Sequence, residues 1–220
     1  MSYKGKMKKG ELVSQLHEVA DGYNLYADTY EKDHPYLNTF EGDVIFKMLG
    51  KLKGLKILDV GCGAGRLTKF LRDEGADVRG GQAEVYAADI SEEMLKIIEK
   101  KLPGVQTVQA GMDKLPFEDG SFDIVTAAFV IVHLETLEKS FEEVYRILKP
   151  GGFFIVTNVN QRKPPKLKLK GGGKIVIKSQ YHRPEAVKEA LEGCFFAIEK
   201  EEFVYADGAW VNQIIKARKQ

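Results

Sequence analysis

The chain has 220 residues, the length of one α/β domain, and its apolar content of 44% is enough for a buried core. A formal net charge of +1 excludes the strongly basic overall field that would indicate nucleic-acid binding. Two isolated cysteines exclude a disulfide framework, and no apolar run approaches the ~20 residues of a membrane span.

Two helices are predicted before the first strand. The first covers residues 11–31, where apolar side chains recur at three- and four-residue steps at Leu12, Leu16, Val19 and Tyr23. The second covers residues 40–52. The first ten residues are rich in lysine but lead into no apolar stretch, so we expect them to be disordered, with neither a signal peptide nor a membrane anchor.

The middle of the chain alternates short apolar runs with amphipathic segments. The predicted elements are strand 56–60, helix 64–74, strand 85–88, a helix capped by Ser91, strands 105–109 and 122–128, helix 135–148 and strand 153–157. Pro150-Gly151-Gly152 is expected to end the helix over 135–148. Such alternation predicts parallel strands with right-handed crossovers, so ligands should bind in the loops after Val60, Ala88 and Gln109.

The last third of the chain has a different pattern. Residues 166–170 and 174–178 alternate in polarity around three glycines, which predicts a β-hairpin. A helix is predicted over 184–192, followed by strands over 195–205 and 209–217. Because the link between these two strands is so short, they must pair antiparallel.

The most informative segment follows the apolar run Ile57-Leu58-Asp59-Val60. Gly61, Gly63 and Gly65 fall at every second position, and a helix begins directly after them. Glycine permits a tight turn whose backbone approaches a ligand, and a helix start directs free N–H groups toward it. A dinucleotide fingerprint would need a glycine at position 66, where the chain has Arg66, so the spacing argues against NAD.

Several further segments extend this pattern into a family resemblance. The sequence resembles class I S-adenosylmethionine-dependent methyltransferases, in particular the small-molecule enzymes of the ubiquinone and menaquinone type. The segments that carry the resemblance are Asp59 to Gly65, Ala88-Asp89-Ile90-Ser91, Leu115-Pro116-Phe117, Ser121-Phe122-Asp123 and Ala27-Asp28-Thr29-Tyr30. Glu31 replaces the acid that usually follows the tyrosine, and Gly111 replaces an acid that often binds the adenine amino group.

The resemblance implies an α/β, Rossmann-like fold. We expect a seven-stranded, mostly parallel sheet with a reversed last strand, helices on both faces, an N-terminal helical lid and a small β-hairpin insertion. Residues 1–220 would form a single domain: lid 1–52, cofactor-binding core 53–160, hairpin insertion 161–180, and a C-terminal helix with antiparallel strands over 181–220. Residues 79–84 resemble an insertion ahead of the second strand.

The same resemblance implies S-adenosyl-L-methionine as cofactor and S-adenosyl-L-homocysteine as product. Asp89 would bind the ribose hydroxyls, beside Ile90, and Asp59 would face the methionyl ammonium. The remaining cofactor-binding residues would be Gly61, Gly63 and Gly65 at the methionine end, Met112 and Asp113 at the adenine, Ala128 beside the methionine arm, and Tyr30 over the cofactor. A tyrosine ring near a sulfonium also has a physical rationale, because the ring face attracts cations.

The methyl acceptor is less specified. His133 is the candidate general base, with a structural role as the alternative. The strand that ends at Ala128 lacks the Asn/Asp-Pro-Pro-Tyr signature. This absence favours a small molecule as the methyl acceptor. The basic residues of 162–178, which are Arg162 and six lysines, fit a solvated hairpin better than an RNA or acidic-substrate site.

Three wider expectations follow. We expect no metal site, because the four histidines are scattered. The protein should be cytoplasmic, with no membrane partner, as a monomer or homodimer. Two other functions stay open: a cofactor-binding protein that has lost catalysis, and an NAD-dependent oxidoreductase.

Overall fold

The computed structural model describes residues 15–33, 41, 43–75 and 82–220. The expectations for the first ten residues and for residues 79–81 of the 79–84 segment therefore lie outside the described residues. The strands are β1 (Gln15–His17), β2 (Lys56–Val60), β3 (Glu84–Asp89), β4 (Gln106–Gln109), β5 (Phe122–Ala127), β6 (Leu148–Val159), β7 (Lys166–Lys168), β8 (Lys174–Ile177), β9 (Phe196–Ala206) and β10 (Ala209–Lys219). The helices are α1 (Val19–Asp33), α2 (Val44–Leu49), α3 (Arg66–Glu74), α4 (Glu92–Lys101), α5 (Glu138–Ile147), α6 (Pro184–Gly193) and a short 3-10 helix over Ile131–His133.

Seven strands form the main sheet, in the order β4-β3-β2-β5-β6-β10-β9. Strands β2 to β6 pair in parallel, whereas β10 runs antiparallel to both of its neighbours. The last strand of the chain is thus the reversed one, and the predicted seven-stranded, mostly parallel sheet is confirmed. The order turns back at β2, so the crevice outside the ends of β2 and β5 is the expected place for a ligand.

Apolar side chains cover both faces of this sheet. Along β2, Leu58 and Val60 belong to the cluster that contains the α5 residues Phe141 and Val144. Ile57 belongs to a separate cluster with residues of α2 and α3. Because successive side chains of a strand point to opposite faces, the two clusters lie on opposite sides of the sheet. Helices on both faces were predicted, and this is confirmed.

A second, three-stranded sheet has the order β1-β8-β7. β7 and β8 pair antiparallel at the place of the predicted hairpin, and β1 pairs in parallel with β8. The predicted helix over 11–31 is wrong at Gln15–His17, which forms β1, and α1 begins only at Val19. The edge of β8 offers backbone partners, as shown by the Lys178 N–H that donates to the His17 carbonyl at 3.0 Å. Leu16 matched the helical spacing but is 63% exposed.

The boundary between α5 and β6 also differs from the prediction. Helix α5 ends at Ile147, and Leu148 already belongs to β6. Pro150-Gly151-Gly152 therefore lies inside the strand, where the pairing with β5 shifts register after Phe122. Gly151 has a φ of 76°, which an L-residue rarely adopts, so the segment forms an irregularity in the strand rather than a helix end.

Helix α1 is fixed to the core at both sheets. The side-chain Oδ1 of Asn24 accepts from the Ser91 hydroxyl at 2.7 Å, at the start of α4. The same Ser91 Oγ accepts from the Met94 N–H at 3.3 Å, as predicted for an N-cap. On the other side, a Cβ added to Gly22 would lie 2.7 Å from Ile177 Cγ1, so α1 packs closely on β8. Within the described residues, no helix has the length and apolar character needed to cross a bilayer.

Candidate functional site

A cavity opens at the carboxyl ends of β2, β3 and β5, beneath α1. Its wall includes nine of the residues predicted for the site: Tyr30, Gly61, Gly63, Asp89, Ile90, Met112, Asp113, Ala128 and His133. A smaller adjoining cavity shares Tyr30, Gly61, Gly63 and Ala128 and is also lined by Asp59. Sequence positions up to 103 residues apart, from 30 to 133, are therefore brought to one crevice.

Two glycines of the loop after β2 shape this crevice. Gly61 has a φ of 63°, and a Cβ there would lie 2.3 Å from Val130 Cγ2, so no larger residue fits without displacement. Gly63 has a φ of 53°, and a Cβ there would meet the ring of Tyr30 at 3.7 Å. Tyr30 thus lies over the glycine loop, between the two cavities.

Gly65 lies apart from both cavities. Its N–H donates to the Cys62 carbonyl at 3.0 Å. A Cβ at this position would come within 3.0 Å of Ile98 Cγ1 and of Leu102 Cδ1. The prediction placed Gly65 with the ligand-binding residues, but the structure places it against α4, where it permits close packing between two helices.

Asp89 ends β3 and connects it to the glycine loop. Its Oδ2 accepts from the Gly63 N–H at 2.8 Å, and its Oδ1 accepts from the Ser91 N–H at 2.8 Å. Burial raises the pKa of this carboxyl, and the backbone hydrogen bonds oppose the shift. A carboxylate has about four lone-pair positions, so Asp89 can accept from a further donor in the cavity.

Asp59 is buried beside the smaller cavity. Its Oδ2 accepts from the Thr68 hydroxyl at 2.6 Å and its Oδ1 from the Thr126 hydroxyl at 2.8 Å. Burial raises the pKa of Asp59 to about 6, while the two hydroxyls and the nearby Arg66 oppose the shift. The site therefore holds a carboxyl whose charge would be stabilised by a cation brought into this pocket.

A buried ion pair borders the same pocket and was not predicted. Arg66 Nη1 lies 2.6 Å from Glu41 Oε2, and the Glu41 side chain has no exposed surface. Burial raises the pKa of Glu41, and Arg66 opposes that shift. The Arg66 guanidinium also lies 5.7 Å from the ring centre of Phe129. Glu41 gave no sequence signal because an acid at the start of a helix is ordinarily exposed.

Phe129 has a strained backbone at the end of β5. Its φ is 61°, a conformation rarely found for an aromatic residue, and its N–H donates to the Thr157 hydroxyl at 2.8 Å. The residue lines both cavities. Strain of this kind costs about 1–3 kcal/mol and is typical of functional sites.

Met112 and Asp113 form the far wall, opposite the glycine loop. Met112 is 3% exposed. Asp113 Oδ2 accepts from Lys139 Nζ at 2.8 Å, and this bond lowers the pKa of the carboxyl. Gly111, which replaces an acid that the family often has at this position, lines the same wall.

His133 lies at the other end of the cavity, in the 3-10 helix after β5. Its Nε2 is 2.7 Å from the Tyr23 hydroxyl of α1, and its Nδ1 is 2.8 Å from the Lys178 carbonyl oxygen. Burial lowers the pKa of His133, and the bond to Lys178 opposes the shift. In the sequence, the spacing of Tyr23 fits helical packing, and nothing there indicates its contact with His133.

His182, which precedes α6, has a structural role. Its Nε2 lies 2.9 Å from the Ile131 carbonyl and 3.0 Å from the Leu134 carbonyl. It joins the start of α6 to the 3-10 helix. Across the residues that the structure describes, no cluster of three or more His, Cys, Asp or Glu side chains has the arrangement of a metal site.

The methyltransferase domain family matches residues 58–156 of this chain. The ubiquinone/menaquinone biosynthesis C-methyltransferase of Ectopseudomonas mendocina is 34% identical over 167 residues, which cover 73% of this chain and 62% of that protein. The protein of the same name from Psychromonas ingrahamii is 36% identical over 157 residues, covering 67% of this chain and 59% of the relative. The chain thus spans about three fifths of the length of these curated relatives.

Solved structures share the fold. An S-adenosylmethionine-dependent methyltransferase from Mesorhizobium loti superposes with a TM-score of 0.66 at 23% identity, covering 81% of this chain and 97% of the other. The structure named DhpI-SAH complex gives 0.72 at 21% identity, with 91% and 94% covered. The [4+2]-cyclase SpnF gives 0.62 at 19% identity, with 91% and 95% covered. At these identities the similarity establishes the fold alone.

Proposed function

This chain belongs to the class I S-adenosylmethionine-dependent methyltransferase family, and from that premise we propose that it transfers a methyl group from S-adenosyl-L-methionine to a small-molecule acceptor. The observation that carries the proposal is the Asp89 carboxylate, which is held by the Gly63 and Ser91 N–H groups and lines the cavity beside Gly61, where a Cβ would clash with Val130. A carboxylate can accept from ribose hydroxyls, and the adjoining glycine loop can accommodate the amino-acid tail that is joined to the ribose.

Each part of the cofactor has a chemically matched part of the site in this proposal. Asp89 accepts from the two ribose hydroxyls, through bonds of the stronger, charge-assisted kind. Gly61 and Gly63 accommodate the methionine arm beside Ala128, and Asp59 provides negative charge near its ammonium. Because Gly65 lies outside both cavities, its contribution is indirect, through the position of α3.

The adenine would lie between Ile90 and the wall formed by Met112 and Asp113. The Met112 thioether can pack on a purine face, and the Asp113 carboxylate can accept from the adenine amino group. Tyr30 would cover the sulfonium end, since its ring lies over Gly63. His133 is the proposed general base at the acceptor end.

When bound, the cofactor supplies an electrophilic methyl group on a positively charged sulfur. The protein must then hold the acceptor in line and exclude water. Helix α1 and the small β1-β8-β7 sheet would form the cover that does this. We extend the proposal to one domain over residues 1–220 with residues 1–52 as lid, while a cytoplasmic location and the monomer or homodimer state stay predictions from the sequence.

The relatives named as C-methyltransferases support a small-molecule acceptor and suggest carbon as one possible target atom. They do not identify it here, because the chain spans only part of their length. The SpnF cyclase shows that this fold also hosts other chemistry, which keeps a function without methyl transfer as the second candidate.

Calorimetry with S-adenosylmethionine, S-adenosylhomocysteine and NAD tests the cofactor. We expect binding of the first two and none of NAD; the reverse would support an oxidoreductase and contradict the proposal. Transfer of labelled methyl groups to a broad panel of small-molecule acceptors then tests the activity. Tight cofactor binding without turnover on any acceptor would favour the non-catalytic alternative.

A further inference from the structure

We infer that Tyr23 and His133 form a proton relay, in which the Tyr23 hydroxyl takes a proton from the methyl acceptor while its own proton passes to His133 Nε2. The inference rests on the proposed methyl transfer. It adds a catalytic residue, Tyr23, and a class of acceptor, a neutral molecule with a weakly acidic hydroxyl.

The contacts of the imidazole fix the direction of the relay. A carbonyl oxygen only accepts hydrogen bonds, so the 2.8 Å contact with Lys178 places a proton on His133 Nδ1. In a neutral imidazole the other nitrogen, Nε2, then carries a lone pair. The Tyr23 hydroxyl, 2.7 Å away, must donate to it. Burial keeps the imidazole neutral by lowering the pKa of His133, so the base form is present at neutral pH.

The Tyr23 ring lies on the wall of the large cavity, in contact with both Tyr30 and His133. Both Tyr23 and His133 line the large cavity. The Tyr23 ring packs edge-on against His133 with centroids 5.2 Å apart, and against Tyr30 with centroids 6.0 Å apart. Since Tyr30 lies over the glycine loop, Tyr23 stands between the loop and the base. A tyrosine hydroxyl can accept a hydrogen bond while it donates its own proton, which here is directed at Nε2.

Three separate elements hold the pair, which argues against a chance contact. Tyr23 comes from α1, His133 from the 3-10 helix after β5, and the Lys178 carbonyl from the end of β8. The ammonium group of Lys178 points to other partners, since its Nζ lies 2.7 Å from Glu135 and 3.8 Å from Glu18. Asp89 and Asp113 are the carboxyls on the same cavity wall.

The relay balances charge and protons within the site. The acceptor oxygen gives its proton to Tyr23 Oη, and Tyr23 passes its own proton to His133 Nε2. The same acceptor oxygen forms a bond to the methyl carbon, while the electron pair of the broken S–C bond stays on sulfur. One positive charge thus leaves the sulfur and one appears on the imidazole, whose Nδ1–H is still held by Lys178. The proton later returns to solvent, and no oxidant or reductant is needed.

The surrounding wall indicates a neutral acceptor. Val19 precedes Tyr23 by one helical turn, and Val130 and Leu134 flank His133 in sequence; all three line the cavity. An apolar wall disfavours an ammonium or carboxylate acceptor, because charge is costly to bury without a partner. A base would also contribute little to a neutral amine, whose lone pair is already available. A phenol or enol, by contrast, must lose a proton to become a strong nucleophile.

The first experiment reads the tautomer without any turnover. The full chain is labelled with 15N-histidine and saturated with S-adenosylhomocysteine, and the His133 signals are assigned with a His133→Asn variant. We expect a protonated Nδ1 and an unprotonated Nε2 at neutral pH, and a shifted Nε2 signal in Tyr23→Phe. A protonated Nε2 would overturn the relay, since Tyr23 could not then pass on its proton.

The second experiment measures methyl transfer to simple phenols of graded acidity. For weakly acidic phenols, with a pKa of about 10 like that of tyrosine, we expect Tyr23→Phe to lower kcat about 100-fold. For nitrophenols that are already ionised at neutral pH, we expect a loss of less than about threefold, because a base is then not needed. His133→Asn, which keeps a donor for Lys178, should behave alike, and the double variant should be no slower than either single variant.

The control is Tyr26→Phe, which removes a hydroxyl one turn along α1 from a side chain packed against Leu167, Ile175 and Ile177. It should match the unaltered protein on every phenol, and all variants should keep their affinity for S-adenosylhomocysteine. An equal loss by Tyr23→Phe on all phenols would show a structural role and overturn the relay. So would a chain that binds S-adenosylmethionine but methylates no phenol of the series. Failure to bind S-adenosylmethionine would instead overturn the proposed function.

Discussion

The carboxylate of Asp89 accepts a hydrogen bond from the Gly63 N–H at 2.8 Å, which joins the end of β3 to the glycine loop of the neighbouring strand. One residue thus shapes the loop and presents acceptor lone pairs to the cavity. The loop and the acid are 26 residues apart in sequence, yet they form a single unit of the site.

Replacement of Asp89 by alanine should weaken S-adenosylhomocysteine binding by more than tenfold. The ribose hydroxyls lose a buried charged acceptor, an effect on the order of 1.5–3 kcal/mol. Isothermal titration calorimetry measures it, with Asp73→Ala on the exposed face of α3 as a control that should bind normally. Unchanged affinity in Asp89→Ala would remove this residue from the cofactor site.

Asp113 offers a sharper test of base recognition. If its carboxylate accepts from the adenine amino group, Asp113→Ala should weaken S-adenosylhomocysteine binding by roughly tenfold, as expected for a hydrogen bond to a charged group. The inosine analogue, which lacks the amino group, should bind Asp113→Ala and the unaltered chain equally well.

Measuring both ligands distinguishes the loss of adenine recognition from general damage to the loop that carries Asp113. Loss of the Lys139 ion pair would weaken both ligands to the same extent, because the bond at 2.8 Å forms without ligand. An equal loss for both ligands would therefore assign adenine recognition to Met112 and the backbone rather than to Asp113.

The pKa of Asp59, raised to about 6, predicts a pH-dependent stability. The unfolded chain ionises this group near 3.8, so between pH 4 and 6 the folded state binds the additional proton. The free energy of unfolding should then fall as pH rises through this window, by up to about 3 kcal/mol from this group. Asp59→Asn should remove that slope and raise the stability of the ligand-free protein at pH 8, as measured by urea unfolding.

The same substitution should reduce affinity for S-adenosylmethionine, because the ammonium loses its negative neighbour. At pH 6, binding to the unaltered chain should release protons, since the cation favours ionised Asp59. Calorimetry in buffers of different ionisation enthalpy detects this release, and Asp59→Asn should abolish it. Equal proton release in both proteins would show that Asp59 does not face the ammonium.

Local motifs were predictable from the sequence, and long-range contacts were not. The strand, turn and helix around Gly61 could be predicted because their residues are contiguous in the sequence. Asp89 could be singled out as a candidate because it ends a predicted strand. The Thr126 partner of Asp59 depends on the register between β2 and β5, which a single sequence does not contain. The contact between Tyr23 and His133, 110 residues apart, requires α1 to be docked on two sheets.

The wrong prediction of a helix at Gln15–His17 has the same origin. Local spacing favoured a helix, but a free edge of β8 provided backbone partners that local spacing cannot represent. Tertiary pairing overrode the local preference there, as it commonly does for short segments.

The three loop glycines look alike in sequence but should respond differently to substitution by alanine. Gly65→Ala should lower stability by about 1–3 kcal/mol, because its φ is 87° and its Cβ would press on Ile98 and Leu102 at 3.0 Å. The folded variant should keep its affinity for S-adenosylhomocysteine within about threefold, since Gly65 lines neither cavity.

Gly61→Ala should instead lose affinity, because its Cβ would lie 2.3 Å from Val130 Cγ2 and distort the loop that faces the ligand. Adding Val130→Ala should restore part of that loss by removing the clash, although the positive φ at 61 still strains any L-residue. Thermal melts and calorimetry on both variants compare the two effects. Loss of affinity in a well-folded Gly65→Ala variant would return Gly65 to the ligand-binding surface and contradict the packing role argued from its contacts with α4.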